Sequence, residues 1–209
     1  MIITYDNIQT VKINQGNITV AINPPSKKSN FSSTSFGSDI VLITTNHPDL
    51  NGVETATRND QTPVVIDGPG EYEVKGFFIR GFPTKTNYGG KEKINTVYSL
   101  NVEGINILFT GAISDTNIPN EIKEEIGEVD IIFVPIGGDG VLEAEEAYDF
   151  AAKREPGIII PIHYGQVGQK DSLKRFLKEA GEDGIKPVEK LVIKKKDLEG
   201  KESDIVILK

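Results

Sequence analysis

The sequence predicts a mixed α/β fold, an antiparallel β-rich half followed by a strand–helix alternation. Three observations predict it. Short runs of β-branched residues separated by turn signals fill the chain as far as Phe109. Beyond Phe109, continuous apolar runs alternate with stretches whose apolar residues recur at helical spacing. Buried-type strands joined by helices in turn imply crossovers and a sheet covered by helices. A chain of 209 residues suits one domain, residues 1–209, with enough interior for a core.

Residues 2–5 (IITY), 11–14 (VKIN) and 17–22 (NITVAI) read as strands, with turns at Asp6-Asn7 and Gln15-Gly16. Residues 24–37 (PPSKKSNFSSTSFG) form a polar, Ser-rich loop too short to link domains. Strands follow at 40–44, in the run VVID ending at Asp67, and at 72–74 and 77–80. Residues 96–102 and 105–109 form a hairpin around Glu103-Gly104. Residues 118–126 are a helix with Asn117 as N-cap and Pro119 in the first turn. After a strand at 129–134, residues 142–152 form a second helix. It turns Leu142, Ala147 and Phe150 toward a sheet and Glu143, Glu145 and Glu146 toward water. A strand at 157–161 precedes a helix at 171–180 that carries Leu173, Phe176 and Leu177 on one face and stops at Gly181. Strands near 191–193 and 205–208 finish the chain.

Composition narrows the partners. A net charge of -8 with interspersed signs disfavours nucleic acid and an anionic membrane. Lys194–Lys196 is the densest basic run, and the acidic Asp197 and Glu199 follow it. No cysteine is present, which removes disulfides, thiolate–zinc sites and a cysteine nucleophile. No apolar run reaches the roughly 20 residues of a membrane span, and the start, MIITYD, lacks the blocks of a signal peptide. The expectation is a cytoplasmic protein whose partner is a small molecule or another protein.

In sheets with helical crossovers, ligand groups gather where the carboxyl ends of strands emerge. Four loops qualify: those after Thr44, Thr110, Pro135 and Pro161. Both histidines of the chain, His47 and His163, lie in them, with Asp49, Asp115 and Asp139. A hydrolytic zinc ion needs three protein ligands and an open position for water. A two-metal site needs a bridging carboxylate and about six or seven ligands. Two histidines support at most one mixed His/carboxylate ion, a zinc or a harder metal such as Mn²⁺ or Mg²⁺. Structural alternatives stand beside this. His47 before Pro48 is also a plain turn imidazole, with Asp49 capping the next segment, and His163 is also a buried ring satisfied by a backbone carbonyl. Glu71 fits a strand start. The run Gly137–Gly140 resembles a phosphate nest but lacks a P-loop lysine, and Ser99 and Ser114 have no paired histidine.

At these residues the chain resembles the metallo-β-lactamase superfamily, in particular the small bacterial zinc-dependent hydrolases similar to the ascorbate-6-phosphate lactonase branch. The resemblance rests on blocks in order: 41–52 (VLITTNHPDLNG), 67–76 (DGPGEYEVKG), 95–100 (NTVYSL), 107–112 (ILFTGA), 129–138 (VDIIFVPIGG) and 158–165 (IIIPIHYG). It implies a four-layer αββα sandwich with the metal site at one edge of the two sheets. The family's first metal motif is Thr-His-x-His-x-Asp-His. Thr44, His47 and Asp49 match it, while Thr45 and Leu50 stand where histidines are expected. In the later Gly-Asp motif Gly111 matches and Ala112 stands where the bridging aspartate would be; His163 matches the closing histidine. The histidine of an intermediate strand has no counterpart. In the family, Asp49 would also orient or deprotonate the attacking water. Two functions follow. One is a hydrolase-derived protein that has lost its dinuclear centre and serves binding or structure. The other is a hydrolase of a lactone, amide or phosphoester that uses a single ion on His47, Asp49 and His163.

Overall fold

The computed structural model describes residues 1–31, 34–58 and 62–209; Ser32 and Ser33 of the Ser-rich loop lie outside the described residues. Along the chain run β1 (Ile2–Asp6), β2 (Thr10–Gln15), β3 (Ile18–Ile22), β4 (Ile40–Leu42), β5 (Val64–Ile66), β6 (Gly70–Val74), β7 (Phe77–Thr86), β8 (Lys93–Val102) and β9 (Ile105–Phe109). Then come α1 (Asn120–Ile126), β10 (Ile131–Pro135), α2 (Ala144–Ala152), β11 (Ile158–Ile162), α3 (Ser172–Glu179), β12 (Leu191–Val192) and β13 (Asp204–Ile205). A first sheet has the order β12-β1-β2-β3-β4-β5 and a second the order β13-β11-β10-β9-β8-β7-β6. In the first, β1 to β3 form an antiparallel meander, and β4 and β5 continue it in parallel. In the second, β6 to β9 are antiparallel, while β9, β10, β11 and β13 run parallel.

Side-chain alternation explains the layering. Val20, Ile22, Ile40 and Leu42 of the first sheet share a buried cluster with Ile79, Tyr98, Leu100, Phe109, Phe133 and Ile160 of the second. Ala21 and Val41, one step out of phase, belong to a separate cluster with Ile43 and Ala56 on the outer face. That face is covered by a 3₁₀ turn at Val53–Thr55 and by Phe36 rather than by a long helix. The second sheet presents Val97, Leu108, Ile132, Val134 and Ile159 to a third cluster. Ile126, Ala147, Phe150 and Phe176 of the three helices complete it. The expected αββα sandwich is therefore the architecture found, with a thin layer over the first sheet.

Two contacts join the sheets at the edge where β4 leads into the turn that carries His47 and Asp49. The buried Tyr98 hydroxyl lies 3.0 Å from the Ile43 carbonyl and 3.2 Å from the Ile66 carbonyl. The Thr96 amide donates to the Thr44 carbonyl at 2.8 Å. Local differences from the sequence expectation have simple causes. Asn117 does not cap α1: its amide donates to Asp115 Oδ1, and Pro119 is the N-cap. The second helix starts at Ala144, so buried Leu142 belongs to the segment leading into it. Among the described residues no helix is long and apolar enough to cross a membrane.

Candidate metal centre

The turn after β4 is built by its sequence. The Leu50 amide donates to the His47 carbonyl at 2.8 Å, closing a β-turn with Pro48 at the position its fixed φ suits. This brings His47 and Asp49 to one side. His47 Nδ1 lies 3.3 Å from the Asp49 amide and 3.4 Å from Asp49 Oδ2. The two contacts ask for opposite states, a bare Nδ1 for the amide and a protonated one for the carboxylate. Burial is the largest influence and pulls the His47 pKa below its ordinary value. Asp49 opposes this and Lys93 adds to it. The neutral ring accepting the amide is the state that burial favours.

Asp49 is nearly buried, and both its oxygens are engaged. Ser29 Oγ donates to Oδ1 at 2.6 Å and the Tyr88 hydroxyl donates to Oδ2 at 2.7 Å. Tyr88 sits in the tip joining β7 to β8. Its ring contacts His47 edge-on, with centroids 4.7 Å apart, and contacts His163 edge-on at 5.1 Å. Burial, together with the Asp49 carboxylate, raises its phenol pKa well above the usual range.

His163 follows β11 with a φ of 60° and is 1 % exposed. Its amide donates to the Ile8 carbonyl at 2.6 Å, and the Tyr5 hydroxyl lies 3.2 Å from the same nitrogen. Nδ1 faces the Gln9 side-chain amide at 3.1 Å. Ile8 and Gln9 belong to the β1–β2 turn, where Asn7 and Ile8 both take positive φ. A β-branched residue in that region is strained. Here Ile8 is held because its side chain is buried with Leu50, Tyr88, Ala112, Val141 and Val167.

The other sequence candidates divide sharply. Thr45 is buried, its hydroxyl 3.2 Å from Asn95 Oδ1 and 3.3 Å from the Ile94 carbonyl. Ala112 is fully buried, and its amide donates to Asn95 Oδ1 at 2.9 Å. Gly111, with φ 66°, lies so near that a Cβ would come within 2.5 Å of Asn95 Oδ1 and 2.6 Å of Thr44 Cβ. Asp115, Asp139 and Glu71 are exposed. His47, Asp49 and His163 are thus brought to one edge of the sandwich beside Ala112. Among the described residues, though, no three or more of His, Asp and Glu converge to hold an ion. Sequence reasoning missed Tyr88 and Gln9, and it met Asn95 only as the first residue of the block 95–100, with no role given to it. The signal for Tyr88 was a large aromatic before Gly89-Gly90 between two strands; nothing marked the amides.

Burial also lowers the His163 pKa, to about 4, with Asp49 opposing the shift. The unfolded ring titrates near its ordinary value of about 6.5, so between these pH values the unfolded state binds more protons. Stability from this residue is fully present above about pH 6.5 and is lost as pH falls toward about 4, by up to roughly 3 kcal/mol. Denaturation of the native protein and of His163→Asn across this window checks it. Asparagine offers an acceptor near the Nδ1 position and tolerates positive φ, so the variant should show a flatter slope. An unchanged slope would refute a neutral buried ring.

A family profile described as a beta-lactamase superfamily domain matches residues 2–163, from β1 to the second histidine. A UPF0173 metal-dependent hydrolase of Natranaerobius thermophilus is 29% identical over 163 residues, covering 68% of this chain and 71% of its own. A UPF0173 protein of Pyrococcus furiosus is 36% identical over 67 residues, and the chain spans only 31% of that relative's length. A solved structure from Thermotoga maritima, assigned to the zn-dependent hydrolases of the metallo-beta-lactamase superfamily, superposes with a TM-score of 0.77 at 27% identity. It covers 99% of this chain and 97% of its own. By this match over most of its length, the chain belongs to the beta-lactamase superfamily and has the metallo-β-lactamase fold of its metal-dependent hydrolases.

Proposed function

We propose that this chain is a hydrolase-derived member of its family that does not carry out two-metal hydrolysis, and that its former cleft serves binding or structure. The observation that supports this most is the apolar cluster of Ile8, Leu50, Tyr88, Ala112, Val141 and Val167. Two of its members stand at ligand positions of the family motif, and both are 0 % exposed. A metal pair needs about six or seven donors, including a bridging carboxylate. Leu50 and Ala112 offer none, and the Thr45 hydroxyl is turned to Ile94 and Asn95. Both Asp49 oxygens already accept from hydroxyls. The residues present do not fit a dinuclear centre. The whole of 1–209 is read as one domain, because β12 pairs with β1 and β13 with β11, tying the last segment into both sheets.

The test is elemental analysis of protein purified without added metal, with melting curves before and after chelation. We expect well under one zinc per chain and almost no change in Tm. An ion that binds only the folded state at a hundredfold excess over its Kd stabilises by about 2.7 kcal/mol. For a chain of this size that corresponds to roughly 5–10 °C. Tightly bound stoichiometric metal, with a chelator shift of that order, would overturn the reading. The mononuclear hydrolase using His47, Asp49 and His163 would then lead.

A further inference from the structure

We propose that two residues outside the family's ligand positions, Tyr88 and Gln9, hold the remnant closed to a divalent cation. Tyr88 acts by occupying the space between the two histidines, and Gln9 by fixing the proton of His163 on Nε2. The proposal rests on the reading that the native protein carries no metal.

The spatial half comes from the tip between β7 and β8. An ion shared by both histidines would sit about 2.0–2.1 Å from a nitrogen of each. The phenol ring contacts both rings edge-on, at 4.7 and 5.1 Å between centroids. Its hydroxyl then takes Asp49 Oδ2, the third donor such an ion would need. The tip is fastened on several sides. The Tyr88 amide donates to Thr86 Oγ1 and the Asn87 amide to Ser114 Oγ. A Cβ on Gly140 would come within 3.0 Å of Tyr88 Cα. A Cβ on Gly89 would come within 2.8 Å of the His47 ring, so the same tip closes a second side of that imidazole.

The protonic half follows from a chain of buried amides whose orientation the backbone dictates. The Thr44 amide is an obligatory donor and meets Asn23 Oδ1 at 2.9 Å. Asn23 must therefore present its Nδ2 to Gln9 Oε1, at 2.9 Å, and to Thr44 Oγ1, at 2.8 Å. Gln9 is then left with its Nε2 against His163 Nδ1 at 3.1 Å. An N–H pointing at Nδ1 requires a bare Nδ1, and in a neutral ring the proton sits on Nε2. A histidine that binds metal through Nε2 needs the reverse, an acceptor for its Nδ1–H. Gln9 is 0 % exposed, and the rest of this chain is at most 2 % exposed, so water does not compensate.

Zinc binding, followed by calorimetry, tests both halves in the intact chain. Native protein and Tyr88→Phe, which keeps the ring, should bind no zinc. Tyr88→Ala should acquire a site that His47→Ala abolishes and that p-cresol, refilling the space, weakens. Adding Gln9→Glu, which offers Nδ1–H an acceptor, should tighten that site a further 10–100-fold. Zinc uptake by the native protein would defeat the metal-free reading itself. A folded Tyr88→Ala that binds no zinc, beside a metal-free native protein, would defeat this proposal alone. Should Tyr88→Ala fail to fold, Tyr88→His supplies a smaller side chain and a donor at the same point, and it too must bind zinc. Histidine ¹⁵N spectra of the native protein read the tautomer directly. A His163 proton on Nδ1 would overturn the role of Gln9.

Discussion

Replacing Phe150 by alanine is expected to destabilise the protein by about 3–5 kcal/mol, the range for a large aromatic removed from a packed interior. The ring is 6 % exposed and belongs to the cluster between the second sheet and its helices, with Ala147, Ala151, Ile132 and Val134. Domains of this kind are stable by about 5–15 kcal/mol in total, so the variant sits near the edge of folding. On the opposite face of α2, Glu146 and Asp149 are exposed, and alanine there should change stability by no more than about 0.5 kcal/mol. Urea denaturation of the three variants checks the contrast. A loss below about 1 kcal/mol for Phe150→Ala would show that the buried face of this helix is assigned wrongly.

That face was legible because amphipathic spacing is a local signal: Ala147 and Phe150 are buried as it implies, while Leu142 is buried ahead of the helix and Glu143 and Glu145 are half-buried against Arg175. The strands were legible for the same reason. What was not legible depended on pairing. Residues 77–80 read as a short strand, whereas β7 runs on to Thr86 and carries the hairpin tip into the site. This extended strand contains Pro83, although proline cannot donate to a ladder. It is tolerated because β6 pairs with β7 only as far as Gly81, so beyond that point β7 has a partner on one side alone. Tyr88 was therefore invisible as a neighbour of the histidines until both strands were extended to their full length.

The site divides along the same line. Strand-end position in the sequence was enough to associate His47 and Asp49 with His163. It said nothing about what each ring would touch. A backbone carbonyl was one expected partner for His163, but the Gln9 amide takes Nδ1 instead. Gln9 and Asn23 are polar residues near turns, and in a sequence such residues read as solvated surface. Here they are fully buried because the β1–β2 turn, with Ile8 forced to positive φ, folds inward over the cleft. Long-range burial, not composition, converts them from surface amides into the groups that set a histidine's proton.

Thr45→His, Leu50→His and Ala112→Asp, made together to restore the family motif, are expected to cost more than about 4 kcal/mol when metal is withheld. Leu50 is 0 % exposed among Ile8, Tyr88, Val141 and Val167, so a histidine there loses the leucine's packing and buries a polar ring. Ala112→Asp sets a second carboxylate in the same buried region as Asp49, and an unpaired buried charge is among the most costly changes a core can suffer. The three costs will not add simply, because the side chains share one cluster. Zinc reverses the balance if the backbone retains the ligand geometry and the Tyr88 ring yields its place to the ion, since binding to a built site is worth on the order of 10 kcal/mol. Melting curves with and without zinc should then separate widely for the triple variant and coincide for the native chain. A triple variant as stable as the native protein without metal would mean the cluster is not closed. One that folds yet ignores zinc would mean either that the cleft has drifted or that Tyr88 still fills it. Adding Tyr88→Ala distinguishes the two: recovery of zinc dependence assigns the block to the phenol ring, and continued indifference assigns it to the backbone.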